Sequence, residues 1–144
     1  MTNNSLQINL PEDIEIFQKA IEEYCKAWSN SDGVPNWEYI FSVYANNKGL
    51  IFFDAVTPHS FANPEEMKAA YPPVANMSLT PHDDLQVYRR GDLVWTTVTQ
   101  TIKAKTPDDR EMKMLQRQTA IWEERDKRWV MLHEHLSAPS SLQP

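Results

Sequence analysis

The segment Trp129-Val130-Met131-Leu132-His133-Glu134-His135-Leu136-Ser137 holds the densest set of reactive groups in the chain. It follows the charged turn Arg125-Asp126-Lys127 and is rich in apolar residues, so it reads as a strand. Side chains alternate across a strand. Trp129, Met131, His133, His135 and Ser137 are therefore expected on one face, with Val130, Leu132, Glu134 and Leu136 on the other. The two imidazoles then lie side by side, each able to donate, accept or titrate near neutral pH. Three uses are open to them: hydrogen bonding in a core or dimer interface, lining a ligand cavity as donors or acid/base groups, or metal ligation. A metal needs further ligands. His59, His82, Asp54 and Asp83 are candidates, but no spacing demands them.

Asp54 follows Phe52-Phe53. A carboxylate beside such rings is either desolvated and poised as a general base, or a strand-end residue satisfied by nearby backbone. Arg117 lies between Leu115 and Thr119 in a predicted strand. It either faces solvent or points inward as a clamp for a ligand carboxylate. Tyr24, Trp28, Trp37, Phe41, Tyr88 and Trp95 are the bulky rings expected to meet in the interior. Core packing accounts for most of them, and rings packed between helices and a sheet also wall small-molecule pockets.

Other chemistries lack their signatures. The chain has only three Gly and no phosphate loop, no G-x-S-x-G elbow and no C-x-x-C pair. His133-Glu134-His135 on a strand is not the helical H-E-x-x-H zinc motif. Cys25, the single cysteine, has no activating neighbour and forms no internal disulfide. The net charge of −6 lacks the basic footprint of a nucleic-acid binder. Arg89-Arg90 and Lys127-Arg128 read as solvated charges at hairpin turns. Residues 1–10 lack an apolar signal core, and no run approaches the roughly 18 apolar residues of a membrane span. No membrane contact and no cofactor are implied, and the default location is the cytoplasm.

The elements that must position these groups follow from periodicity. The 144 residues suit one domain. From Pro11, the apolar residues Ile14, Phe17, Ile21, Tyr24 and Trp28 recur every three or four positions, which predicts an amphipathic helix stopped at Ser31-Asp32-Gly33. A shorter helix is expected from Pro35, with Trp37, Ile40, Phe41 and Tyr44 on one face, and a turn at Asn46-Asn47-Lys48-Gly49. Leu50 to Val56 reads as a buried strand with Asp54 near its end. Asn63-Pro64-Glu65-Glu66 is a helix start with a capping residue, ended by Pro72-Pro73. Leu85–Arg89, Leu93–Lys103, Glu111–Glu123 and Trp129–Ser137 are strands separated by short polar turns, so they form an antiparallel meander. Helices packed on one face of such a sheet make an α+β architecture.

Arg117-Gln118-Thr119-Ala120-Ile121-Trp122, a charged turn and then Trp129 to Ser137 resemble the end of SnoaL-like domains. They are also similar to the association domain of calcium/calmodulin-dependent protein kinase II, where a W-x-x-x-H-x-H strand closes the sheet. Phe52-Phe53-Asp54 and Thr57-Pro58-His59-Ser60-Phe61 resemble that superfamily's strand and loop before its third helix. The resemblance spans about Glu12 to Pro139, and Ala62-Asn63 stands where relatives often carry Gly. It implies the nuclear transport factor 2-like (cystatin-like) cone: a curved antiparallel sheet wrapped around a long N-terminal helix, with a pocket between them. Members commonly pair through the sheet, so a homodimer is expected. The superfamily holds isomerases, cyclases, dehydratases and modules that only bind or assemble. Two expectations follow. One is a small-molecule-binding protein acting by acid/base chemistry on an apolar or aromatic carbonyl or carboxylate compound. In it, Asp54, His133 or His135 moves the proton, and Tyr24, Trp28, Trp37, Tyr88, Trp95 and Arg117 hold the ligand. The other is a non-enzymatic oligomerisation or ligand-sensing module.

Overall fold

The structure, a computed structural model, describes residues 5–29, 34–45, 52–54, 60–71 and 75–139. The expected stop at Ser31-Asp32-Gly33, the turn at Asn46–Gly49, His59 with its loop, and Pro72-Pro73 lie outside them. So does most of the expected strand Leu50–Val56. In chain order the elements are β1 (Gln7–Ile8), α1 (Pro11–Trp28), α2 (Trp37–Val43), β2 (Phe52–Phe53), β3 (Ser60–Phe61) and α3 (Pro64–Ala69). They continue as β4 (Ala75–Pro81), β5 (Gln86–Arg90), β6 (Leu93–Lys105), β7 (Glu111–Arg125) and β8 (Arg128–Ser137).

Pro11 starts α1, where its missing N–H costs nothing, and Glu12 and Asp13 face the positive end of the helix dipole. Asn63 caps α3 by accepting from the Glu66 N–H, while Glu66 reaches back to the Ala62 N–H, so the polar pattern around Pro64 works as a capping box. Ser29 ties the end of α1 to the sheet: its hydroxyl donates to the Cys25 carbonyl and accepts from the Leu79 N–H of β4.

Eight strands form one curved, open sheet, seven of them in the order β1-β5-β6-β7-β8-β2-β3 and β4 off this path beside β6. The long strand β6 is shared on one edge: β5 pairs with residues 93–97 and β4 with residues 100–105. The meander is antiparallel as expected, but β2 runs parallel to β8, so the sheet is mixed. The short strands β1 and β3 and the longer β4 are additions to the sequence reading. β4 carries a weak signal, Met77 and Leu79 alternating with Ser78 and Thr80 between prolines.

The core lies between α1 and the concave face of the sheet. Phe17 is fully buried and meets Trp122 and Trp129 edge-on, with ring centroids 5.4 and 5.0 Å away. Arg89 departs from the solvated-turn expectation. Its guanidinium donates to the Asp13 carboxylate of α1 through Nε and Nη2, at 2.9 and 2.7 Å, and lies over the Trp129 ring. A planar fork matches a carboxylate in this way, which makes the pair a clamp between helix and sheet.

One irregularity in β8 decides which groups face the core. Trp122 pairs with Met131, but the preceding residue, Ile121, pairs with His133, so Leu132 is an extra residue in the strand. Such a bulge reverses the alternation beyond it. Trp129 and Met131 therefore share the inner face with Glu134 and Leu136, and not with His133 and His135. The single-face grouping expected for Trp129, Met131, His133, His135 and Ser137 is corrected at this point.

Phe17→Ala should lower unfolding free energy by about 3–5 kcal/mol, the usual range for emptying a buried aromatic site. Urea unfolding checks this. A loss below about 1 kcal/mol would mean that α1 does not anchor the core.

Candidate functional site

A cavity of about 310 Å³ opens between the helices and the inner face of the sheet. α1 supplies Tyr24 and Trp28, one turn apart on its apolar stripe. The β2–β3 pair supplies Phe52, Phe53, Asp54 and Phe61. α3 and the residues after it supply Met67, Ala70 and Tyr71. The sheet supplies Met77 and Leu79 from β4, Ile102 from β6, Met112 and Gln116 from β7, and Glu134 and Leu136 from β8. Trp28 and Tyr71 stack at 6.0 Å, and Trp37 packs edge-on against both from behind.

The strongest polar feature is Glu134, only 1% exposed. Its carboxylate accepts from Tyr24 Oη and Tyr44 Oη, both at 2.6 Å, and from Gln118 Nε2 at 2.7 Å. Three donors around one buried carboxylate suit its ionised form, which accepts only. Burial pushes the Glu134 carboxyl up, the three donors pull it down, and the nearby charge of Asp54 adds to the rise. Burial, followed by the Glu134 charge, holds both phenols well above the ordinary tyrosine range. Burial likewise pushes the Cys25 thiol up to about 12, so it is an inert core residue.

A line of amides continues from the carboxylate across the sheet. Gln118 Nε2 donates to Glu134, Gln100 Nε2 reaches Gln118 Oε1 at 3.5 Å, and Gln116 Nε2 donates to Gln100 Oε1 at 2.8 Å. The direction is set by its end: a carboxylate accepts, so every amide nitrogen points towards it.

The candidates read from the sequence divide between two faces. Tyr24, Trp28 and Asp54 line the cavity, and Trp37 supports its wall. His133 and His135 lie on the outer face, where both rings meet Phe53 at 5.8 and 5.2 Å. Arg117 is on that face too, donating to Ser137 Oγ at 3.1 Å. Tyr88 and Trp95 stack there at 5.4 Å, away from the cavity lining. His82 is held between the Thr99 and Thr101 hydroxyls at 2.7 and 2.6 Å. Among the described residues, no group of three or more His, Cys, Asp or Glu is placed to hold a metal ion. Asp54 has no hydrogen-bond or ion-pair partner among the described residues.

Glu134, Tyr44, Gln118, Gln100 and Gln116 are absent from the sequence-based candidates. A usable signal was present. Val130, Leu132, Glu134 and Leu136 form an apolar register interrupted by a single carboxylate, and Gln116 and Gln118 sit two apart in a strand of otherwise apolar inner positions.

Tyr24→Phe should lower stability by about 1–3 kcal/mol at neutral pH, because a buried charge loses a donor. A carboxyl whose folded pKa is raised binds more protons folded than unfolded, so stability falls as pH rises through that interval. Removing a donor widens the interval. The deficit of Tyr24→Phe should therefore be smallest below pH 4.5, the ordinary glutamate value, and grow above it. Urea unfolding at several pH values checks this, and a deficit that grows as pH falls would contradict it.

Residues 18–141 match the family model of the SnoaL-like domain. No curated protein matches the chain. Among solved structures, a nuclear transport factor 2-like superfamily protein from Salmonella enterica superposes with a TM-score of 0.77 at 10% identity, covering 93% of this chain and 96% of that one. A proposed dehydratase of the same family type from Streptomyces avermitilis gives 0.71 at 16% identity, covering 90% and 97%. The calcium/calmodulin-dependent kinase II hub of S. rosetta gives 0.65 at 16% identity, covering 91% and 97%. These likenesses establish the cystatin-like cone. With a curved open sheet packed on α1, a cavity between helices and sheet and a family model covering most of its length, the chain belongs to the SnoaL-like domain family.

Proposed function

We propose that this protein binds a compact apolar or aromatic small molecule in the cone cavity, with Asp54 as the group that exchanges a proton with it. One observation carries the reading: an aromatic cavity has a fully buried carboxylate in its floor, held by donors from two helix-derived tyrosines and a sheet glutamine. A core built for stability alone gains nothing from such a charge, since burying it is costly even when paired. Cavities of roughly 300–1,000 Å³ with few convergent polar groups are the usual form of ligand sites.

The geometry favours binding over isomerase, cyclase or dehydratase turnover. Those reactions develop negative charge on oxygen and need donors aimed at it. Here the phenol protons of Tyr24 and Tyr44 are turned to Glu134, and His133, His135 and Arg117 lie on the other face of the sheet. Asp54 is the remaining acid/base group at the cavity, and proton exchange with a bound compound falls to it.

A second reading has its own observation. The outer face carries the half-exposed rings Phe53, Tyr88 and Trp95 around His133 and His135, and relatives of this fold include an assembly hub. We propose that this face pairs two copies of the chain. Both functions fit one molecule, because the cavity and the outer face lie on opposite sides of the sheet.

Ala70→Trp, at the exposed rim of the cavity, should block the entrance without touching the core. In a fragment screen by NMR, aromatic and alicyclic compounds should shift the Trp28 indole signal in the parent and not in this variant. No shift from any fragment would contradict the pocket reading. Thr119→Glu, at the exposed centre of the outer face, should convert a dimer to a monomer by native mass spectrometry. A monomeric parent would remove the pairing reading.

A further inference from the structure

The polar atoms of the cavity are unequal in kind. Glu134 and Asp54 are carboxylates. Tyr24 donates its only phenol proton to Glu134, so its oxygen can only accept from a ligand. Gln116 gives an amide N–H to Gln100, and its carbonyl oxygen has no donor among the described residues, although the residue is only 3% exposed. The other donors in the lining are occupied or hidden. Tyr71 Oη donates to Met77 Sδ at 3.2 Å, and the Trp28 indole nitrogen is buried beside the Tyr44 hydroxyl. Among the side chains of the described lining residues, a second N–H of Gln116 is the donor left over. Among its described residues the lining holds no Lys, Arg or His.

This one-sidedness follows from Glu134. Its carboxylate draws both phenol protons and fixes the amide line so that nitrogens point inward and the last carbonyl is left over. The sheet's buried charge thereby makes the neighbouring surface an acceptor surface. The apolar part of the wall agrees with it. Trp28, Tyr71, Phe52 and Phe61 offer ring faces and edges, and electron-rich faces attract cations. The net charge of −6 adds a field that draws cations and repels anions.

We infer that the cavity selects an organic cation, a compact aromatic or alicyclic amine whose ammonium group meets Asp54 while its apolar body lies among the rings. An ammonium has three donors and no acceptor, the complement of this lining. A carboxylate ligand would meet two like charges and no cation, which excludes the carboxylate half of the ligand class expected from the sequence. The inference rests on the pocket reading and narrows it.

Three matched probes separate the two claims: 1-naphthylmethylamine, 1-naphthalenemethanol and 1-naphthoic acid, titrated by isothermal calorimetry at neutral pH and low salt. The amine should bind at least about tenfold more tightly than the alcohol, as a desolvated cation–π and carboxylate contact predicts. The acid should bind more weakly than the alcohol. In Asp54→Asn the gap between amine and alcohol should shrink to about threefold or less. An amine no tighter than the alcohol, an acid as tight as the amine, or a gap unchanged in Asp54→Asn overturns the inference and leaves a working pocket. If none of the three binds in the millimolar range, the pocket reading itself falls and the inference goes with it.

Discussion

The buried carboxylate of Glu134 is the constraint around which the inner half of this molecule is arranged. A charge in the interior is tolerated only when its lone pairs are met. Here that requirement recruits α1 through Tyr24, the end of α2 through Tyr44, and β7 through Gln118. Three parts of the chain far apart in sequence are thus held at one point. The Asp13–Arg89 clamp and the Phe17 cluster fasten the opposite end of α1, so the helix is held over the sheet at both ends. The cavity is the space left between these fixed points.

Much of this architecture was legible in the sequence, for identifiable reasons. The stripe from Ile14 to Trp28, the capping residues around Asn63 and the alternating strands of the meander are local patterns, and local physics sets them. The turn Asp126-Lys127 is of the same kind. Both residues adopt positive φ, 49° and 63°, the conformation of a tight hairpin. The family resemblance carried in the last two strands extended these patterns to a whole fold.

The site was harder to read because its decisive step is not local. Alternation alone puts Met131 and His133 on one face. The extra residue Leu132 separates them, and only pairing with Ile121 and Trp122 reveals it. That reversal turns two conspicuous histidines outward and a glutamate among leucines inward. Tyr44 was grouped with the apolar face of α2, and nothing in the chain near it hints that its hydroxyl meets Glu134, 90 residues away. Likewise Arg89, one of a basic pair beside a turn, owes its buried role to Asp13 across 76 residues. Contacts of this span lie beyond any window of periodicity.

The central claim is that Glu134 is a raised, buried carboxyl held by three donors. Carbon-13 NMR of the glutamate side-chain carboxyl carbons, followed against pH, tests it directly, with the Glu134 signal identified by its absence in Glu134→Gln. The Glu134 signal should titrate above the ordinary value of 4.5 and move downfield only as the carboxyl ionises within the folded protein. A Glu134 signal titrating at or below 4.5 would mean a solvated or over-stabilised carboxylate and would contradict the account.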